Sequence, residues 1–137
     1  MSITIQKISA SDTWALRHRV MWPEKPIDYI KLADDDQGIH FGLFKEDRLI
    51  SVVSLFIEDN IAQFRKFATD HAEQGHGYGT KLLSYMIKAA GDSGSQIIWC
   101  NARLDKSSFY KRFGMTETDQ KFNKDGVEYV IMEKTIF

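Results

Sequence analysis

The residues best suited to chemistry lie in Gln74-Gly75-His76-Gly77-Tyr78-Gly79-Thr80, a glycine-rich run between a strand-like and a helix-like segment. Glycine lets backbone N–H groups approach a ligand without obstruction from a Cβ atom. A helix start adds unpaired donors and a partial positive charge, so the combination suits a phosphate or diphosphate. The dipole contributes only about 0.3–1 kcal/mol at an exposed site, so several converging N–H groups must provide most of the hold. Gly75-x-Gly77-x-Gly79 does not match the G-x-G-x-x-G dinucleotide spacing, and Gly79-Thr80-Lys81 inverts the Gly-Lys-Ser/Thr order of a P-loop. By spacing alone, a phosphate cradle and a tight turn capping a helix fit equally well.

Tyr110 is a candidate proton donor, since a phenol of pKa about 10 stays protonated at neutral pH; the alternative is a packing role beside Phe109. Glu58 and Asp59 could remove a proton from a substrate or could simply form a solvated turn. Histidine is a residue type suited to proton transfer, which makes His71 and His76 candidates, although His76 sits inside the loop, where its backbone matters more. Cys100 follows Ile97-Ile98-Trp99 and reads as a packing residue, with no neighbour to stabilise a thiolate. His18, His40, His71, His76 and Cys100 lack metal-ligand spacing, so no metal is expected. Trp14, Trp22, Tyr29 and the run Asp34-Asp35-Asp36 could receive a cationic amine or could be packing aromatics beside a solvated loop.

These residues need a scaffold, and the pattern supplies one. Ile3, Ile5 and Ile8 suggest a strand, and Ser11-Asp12 an N-cap for a helix through Trp14, Leu16 and Val20 that Pro23 and Pro26 stop. Strands follow at about Ile39–Phe44, Leu49–Ile57 and Ile61–Thr69. In the last of these, Ala62 and Phe64 share a face, and a strict pleat puts Phe67 on the other one. Either a bulge near Arg65-Lys66 restores the phase, or the strand is buried on both faces. Tyr78, Leu82, Leu83, Met86, Ile87 and Ala90 form a helical stripe, with Gly91 as its stop. A strand at Ile97–Cys100, a helix beginning at Asp105 or Ser107, and strands at about Met115–Gln120 and Val127–Lys134 around an Asp125-Gly126 turn complete the chain. The order β-α-β-β-β-α-β-α-β-β is an α/β or α+β sheet with helices on its faces.

The chain has 137 residues with 18 basic and 19 acidic side chains, net charge −1, and 43% hydrophobic residues. This fits one domain over residues 1–137, with enough apolar surface to fold. The charge balance offers no broad grip on nucleic acid, and the longest apolar stretch, Leu49 to Ile57, is too short to cross a membrane. A single cysteine and an N-terminus without a signal-peptide pattern make the cytoplasm the expected location.

Gln74-x-x-Gly77-x-Gly79 resembles the Q/R-x-x-G-x-G/A motif of the GNAT N-acyltransferases. Arg65-Lys66-Phe67-Ala68-Thr69 is similar to that family's bulged fourth strand. Phe109-Tyr110-Lys111-Arg112-Phe113-Gly114-Met115 resembles its F-Y-x-x-x-G-F segment. Three departures stand out: Thr69 where many members have valine, His71 where many have proline, and Arg103 where many have asparagine, with Asn101 displaced from that place. The resemblance implies a mixed, mostly antiparallel sheet splayed between strands 4 and 5. It implies acetyl-CoA as co-substrate, with its diphosphate on Gln74, Gly75, His76, Gly77, Tyr78, Gly79 and Thr80. It further implies that the pantetheine pairs with the backbone at Phe67 and Thr69 and passes Asn101, and that Tyr110 is the general acid. The activity implied is acetyl transfer to a primary amine of a small molecule or peptide, the alternative being a non-catalytic acyl-CoA sensor. A homodimer through a strand edge is a further expectation.

Overall fold

The computed structural model describes residues 2–136. Its strands are β1 (Ile3–Ile8), β2 (Ile39–Lys45), β3 (Arg48–Glu58), β4 (Ile61–Thr69), β5 (Ile97–Arg103), β6 (Thr116–Lys124) and β7 (Val127–Thr135), and its helices are α1 (Ala10–Leu16), α2 (Tyr78–Asp92) and α3 (Ser107–Lys111). The strands form one sheet in the order β1-β2-β3-β4-β5-β7-β6. Every neighbouring pair is antiparallel except β4 and β5. This is the mixed sheet that the resemblance implies.

Local chemistry fixes the connections. Three two-residue hairpin loops, Glu46-Asp47, Asp59-Asn60 and Asp125-Gly126, have positive φ at both positions. That is the turn whose twist matches a right-handed strand pair. The cap of α1 is Ser9 rather than Ser11-Asp12: Ser9 Oγ accepts from the Asp12 amide, and Asp12 Oδ2 accepts from the Ser9 amide. Beyond Leu16 the chain widens into a π turn over Arg17–Met21 that ends at Trp22, just before Pro23. Gly91 lies inside α2 rather than stopping it; the cap is Ser93, and Gly94 takes the left-handed conformation, φ +95°.

Helix α2 buries Leu82, Leu83, Met86 and Ala90 against Phe41, Leu43, Val53, Leu55, Phe64 and Ile98 on one face of the sheet. Leu16 covers Val52 and Ala68 on the other face, with Val20 and Met21 beside them. No helix among the described residues is long and apolar enough to cross a membrane.

Candidate active site

The feature that makes a site is a failure of pairing. Strands β4 and β5 are in register only at Ile61↔Ile97, Ala62↔Ile98 and Gln63↔Trp99. Past that point both continue, to Thr69 and Arg103, without a shared ladder. The wedge between them is a cavity of about 680 Å³, lined among others by Phe67, Thr69, Gly77, Asn101, Tyr110 and Tyr129.

Strand β4 reaches this cavity in a distorted form. Val52 pairs with Ala68 and Ser54 with Arg65, so Val53 faces two residues, Lys66 and Phe67. Lys66 has φ +57°, which accommodates the extra residue. The bulge restores the phase. Phe64 and Phe67 pack on the same core cluster, Phe64 5.8 Å from the Tyr110 ring and Phe67 stacked on Phe109 at 6.0 Å.

Gly77 caps α2 in the left-handed conformation, φ +82°, and brings no side-chain oxygen to the helix's first amides. A Cβ at Gly75 or Gly77 would meet nothing within 4 Å, so the space in front of both is open. The loop is anchored from behind by Glu73, a buried residue that sequence reading passed over. It accepts from Lys45 Nζ at 2.9 Å and Arg48 at 2.8 Å, and the two cations hold its carboxyl below the usual range. Gln74 Nε2 donates to the Thr69 carbonyl at 2.9 Å, fastening the loop to the end of β4, and Thr69 Oγ1 shares a hydrogen bond with Ser51 Oγ. Of the expected loop residues, Gln74, Gly75, Gly77, Tyr78, Gly79 and Thr80 line the cavity, and the His76 side chain does not.

Tyr110 lines the cavity, half-buried. Burial pushes its phenol well above the ordinary value, and nearby Cys100 adds to the shift while Arg103 opposes it. Burial also pushes the Cys100 thiol up to about 12, which keeps it protonated and suits a packing residue.

The acceptor side departs from expectation. Glu58 and Asp59 sit at the β3–β4 hairpin, where β4 and β5 are still paired, and neither lines the cavity. Two carboxylates of the acidic run, Asp34 and Asp35, are paired within the chain, and Asp36 is exposed. Asp35 makes a bidentate pair with buried Arg17, both contacts 2.8 Å, and also accepts from Trp14 Nε1 and the Leu32 amide. Burial alone would raise its pKa, but Arg17 and these donors hold it below the ordinary value. Asp34 pairs with Arg65 at 3.0 Å. The aromatics already carry cations of the chain itself: Lys31 over Trp14 at 4.4 Å, Lys25 over Tyr29 at 5.1 Å and Arg103 over Trp22 at 5.4 Å. Asp34, Asp35 and the three aromatics thus already have cationic partners within the chain. Among the described residues, no cluster of His, Cys, Asp and Glu could hold a metal ion.

Residues 14–136 match the acetyltransferase (GNAT) domain family. The chain belongs to that family. It is 28% identical to the uncharacterized N-acetyltransferase YitI of Bacillus subtilis (strain 168), over 98% of this chain and 97% of that one. A crystal structure of a Lactobacillus plantarum protein assigned as an N-acetyltransferase superposes with a TM-score of 0.89 at 26% identity, covering 100% of both chains. A GNAT family acetyltransferase from Elizabethkingia anophelis, solved with acetyl-CoA bound, has the same fold, with a TM-score of 0.77 at 16% identity over 97% of each chain. Family membership makes the chain an N-acetyltransferase. In this GNAT domain the family motif residues Gln74, Gly77, Gly79 and Tyr110 all line the one wedge between β4 and β5.

Proposed function

We propose that this protein transfers the acetyl group of acetyl-CoA to a primary amine of a small molecule or peptide by direct attack on the thioester. The observation that carries this reading is the convergence of three features on one cavity: the unpaired β4–β5 wedge, the bulge at Lys66-Phe67 and the open glycine cap of α2.

The free space in front of Gly75 and Gly77, where a side chain would otherwise stand, fits a diphosphate received by the amides of residues 75–80, with the His76 contribution confined to its backbone. The pantetheine then lies along β4, pairing with the backbone at Phe67 and Thr69 as an added strand does, and passes Asn101 on the opposite wall. Amide N–H groups freed by the bulge face the thioester oxygen and stabilise the charge that develops there.

An amine of pKa about 10.4 must first lose a proton. Among the described residues the one carboxylate on the cavity wall, Glu73, is taken up by Lys45 and Arg48, and the amine proton leaves to water in the open cavity. The amine nitrogen then bonds to the acyl carbon and the carbon–sulfur bond breaks. Tyr110 donates its proton to the departing sulfur, and the nitrogen gives up its surplus proton as the amide forms, through water back to the Tyr110 oxygen, so the phenol is restored. The partial burial that disfavours a phenolate also disfavours a thiolate beside it, so the two anions are penalised together.

The test is release of free coenzyme A thiol from acetyl-CoA across a panel of amines. Release that depends on the added amine supports transfer; uptake of acetyl-CoA with no release for any amine would leave an acyl-CoA sensor instead.

A further inference from the structure

The cavity threads through the splay, and its two ends differ in chemistry. On the α2–α3 face it is closed by Phe67, Phe109 and the glycine cap, the end assigned above to the coenzyme. On the α1 face it meets Val20 and Met21 of the π turn, the bulge residue Lys66, Arg103 at the end of β5, and Tyr129, which pairs with Arg103 across β7. Lys66 belongs to this second end: it lines the cavity, and the charges that act on it are those of Arg17, Lys124, Asp35 and Arg103.

This end is cationic and uncompensated. Among the described residues, five lysine and arginine side chains line the cavity as a whole, Arg65, Lys66, Arg103, Lys106 and Arg112, against one carboxylate, Glu73, which sits at the glycine loop. Arg65 is neutralised by Asp34. Among the described residues, Lys66 and Arg103 have no carboxylate partner: Asp35 is spent on Arg17, and the polar contact of Arg103 is with the Met21 carbonyl at 3.5 Å. The Arg103 guanidinium is braced on the Trp22 ring, which fixes it in place and leaves N–H groups free to donate. Two cations converging on a half-enclosed space attract an anion strongly, because charges interact more in a low-dielectric wall than in water.

Taking acetyl transfer as the reaction, we propose that Lys66 and Arg103 bind an anionic group, a carboxylate or phosphate, carried by the acceptor amine. The acceptor is thus an amine that bears its own negative charge at the far end from the nitrogen. Its anion docks between β4 and β5 on the α1 face while its amine reaches the thioester beside Tyr110. The burial of the Lys66 ammonium, which with Arg17 and Lys124 pushes its pKa down to about 8, agrees with a site built for an anion rather than for a second cation.

The test uses amines matched in length, γ-aminobutyrate against its amide and phosphoethanolamine against ethanolamine, with acetyl-CoA and the intact protein. The expected result is a kcat/KM about tenfold or more higher for the charged member of at least one pair, with the better pair naming the anion. Arg103→Gln and Lys66→Met should each bring the kcat/KM ratio within the preferred pair back toward one. Equal rates within both pairs, or a preference that survives both substitutions, overturns the assignment. Should no amine be acetylated, the transfer reading fails, and the anion site is then judged separately by thermal shift of the CoA-loaded protein. The acetylated form of γ-aminobutyrate must stabilise it more than the corresponding amide; equal shifts refute the site.

Discussion

Phe67 occupies the space that a side chain on Gly79 would need: a Cβ there would stand 2.8 Å from the Phe67 ring and 3.3 Å from Thr69 Oγ1. The second residue of α2 is thereby pressed against the bulged strand. Gly79→Ala must displace the ring from its stack on Phe109. Forcing a methyl into a packed contact costs about 1–3 kcal/mol. Chemical denaturation should show a loss of that size together with weaker acetyl-CoA binding. Phe67→Leu in the same chain should restore part of the stability, since it removes the ring that clashes.

Tyr110→Phe keeps the ring between Phe64 and Phe109 and removes only the hydroxyl. Loss of a positioned proton donor lowers kcat by about 100-fold or more. Calorimetry should give an unchanged acetyl-CoA affinity, because no part of the proposed coenzyme hold depends on that oxygen. A small change in kcat would remove Tyr110 from the chemistry.

The bidentate Arg17–Asp35 pair joins the π turn after α1 to the loop before β2, and Arg17 also donates to Ser54 Oγ and the Ile30 carbonyl. Asp35→Asn strands a fully buried guanidinium. Removing one partner of a buried pair costs about 3–5 kcal/mol. Since the folded carboxyl titrates below its ordinary value, the unfolded chain binds the proton first as pH falls. The pair's contribution is therefore complete above about pH 4 and is lost as pH falls through the folded value. Urea midpoints of wild type and D35N should converge at acid pH.

Lys66 has the opposite linkage. Its folded pKa is lowered to about 8 from 10.5, so between those values the unfolded chain holds more protons and stability rises with pH. Lys66→Met removes the penalised charge without changing the backbone demand at φ +57°. The variant should melt higher than wild type near neutral pH, and the gain should fade between about pH 8 and 10.5. A gain that does not change with pH would place the Lys66 ammonium in open water.

The fold was legible where local chemistry is decisive. The α2 stripe, the Asp125-Gly126 turn and the β4 phase conflict between Phe64 and Phe67 all point to what the structure contains. The conflict had two solutions on paper, and Lys66, a residue with no intrinsic liking for positive φ, gave no sign of which one holds; the pairing of β3 decided it. The glycine loop was readable because glycine is the residue that such a cap needs. The acceptor end was not, because charge compensation is a matter of tertiary contacts. Asp34 and Asp35 look like a receptor for a cation until Arg65 and Arg17, 31 and 18 residues away in sequence, are brought against them. Glu73 was passed over for the same reason, its partners Lys45 and Arg48 lying on a distant hairpin.

The central claim is that the backbone of the glycine cap holds the diphosphate of acetyl-CoA. Its most direct test is calorimetric titration of wild type and Gly77→Val, each checked for folding by circular dichroism, with acetyl-CoA and with S-acetylpantetheine, which lacks the diphosphate. A side chain at position 77 would project into the open space before the α2 amides. The account predicts that acetyl-CoA affinity falls about tenfold or more while S-acetylpantetheine binds both proteins alike. Undiminished acetyl-CoA binding by the folded variant would contradict it.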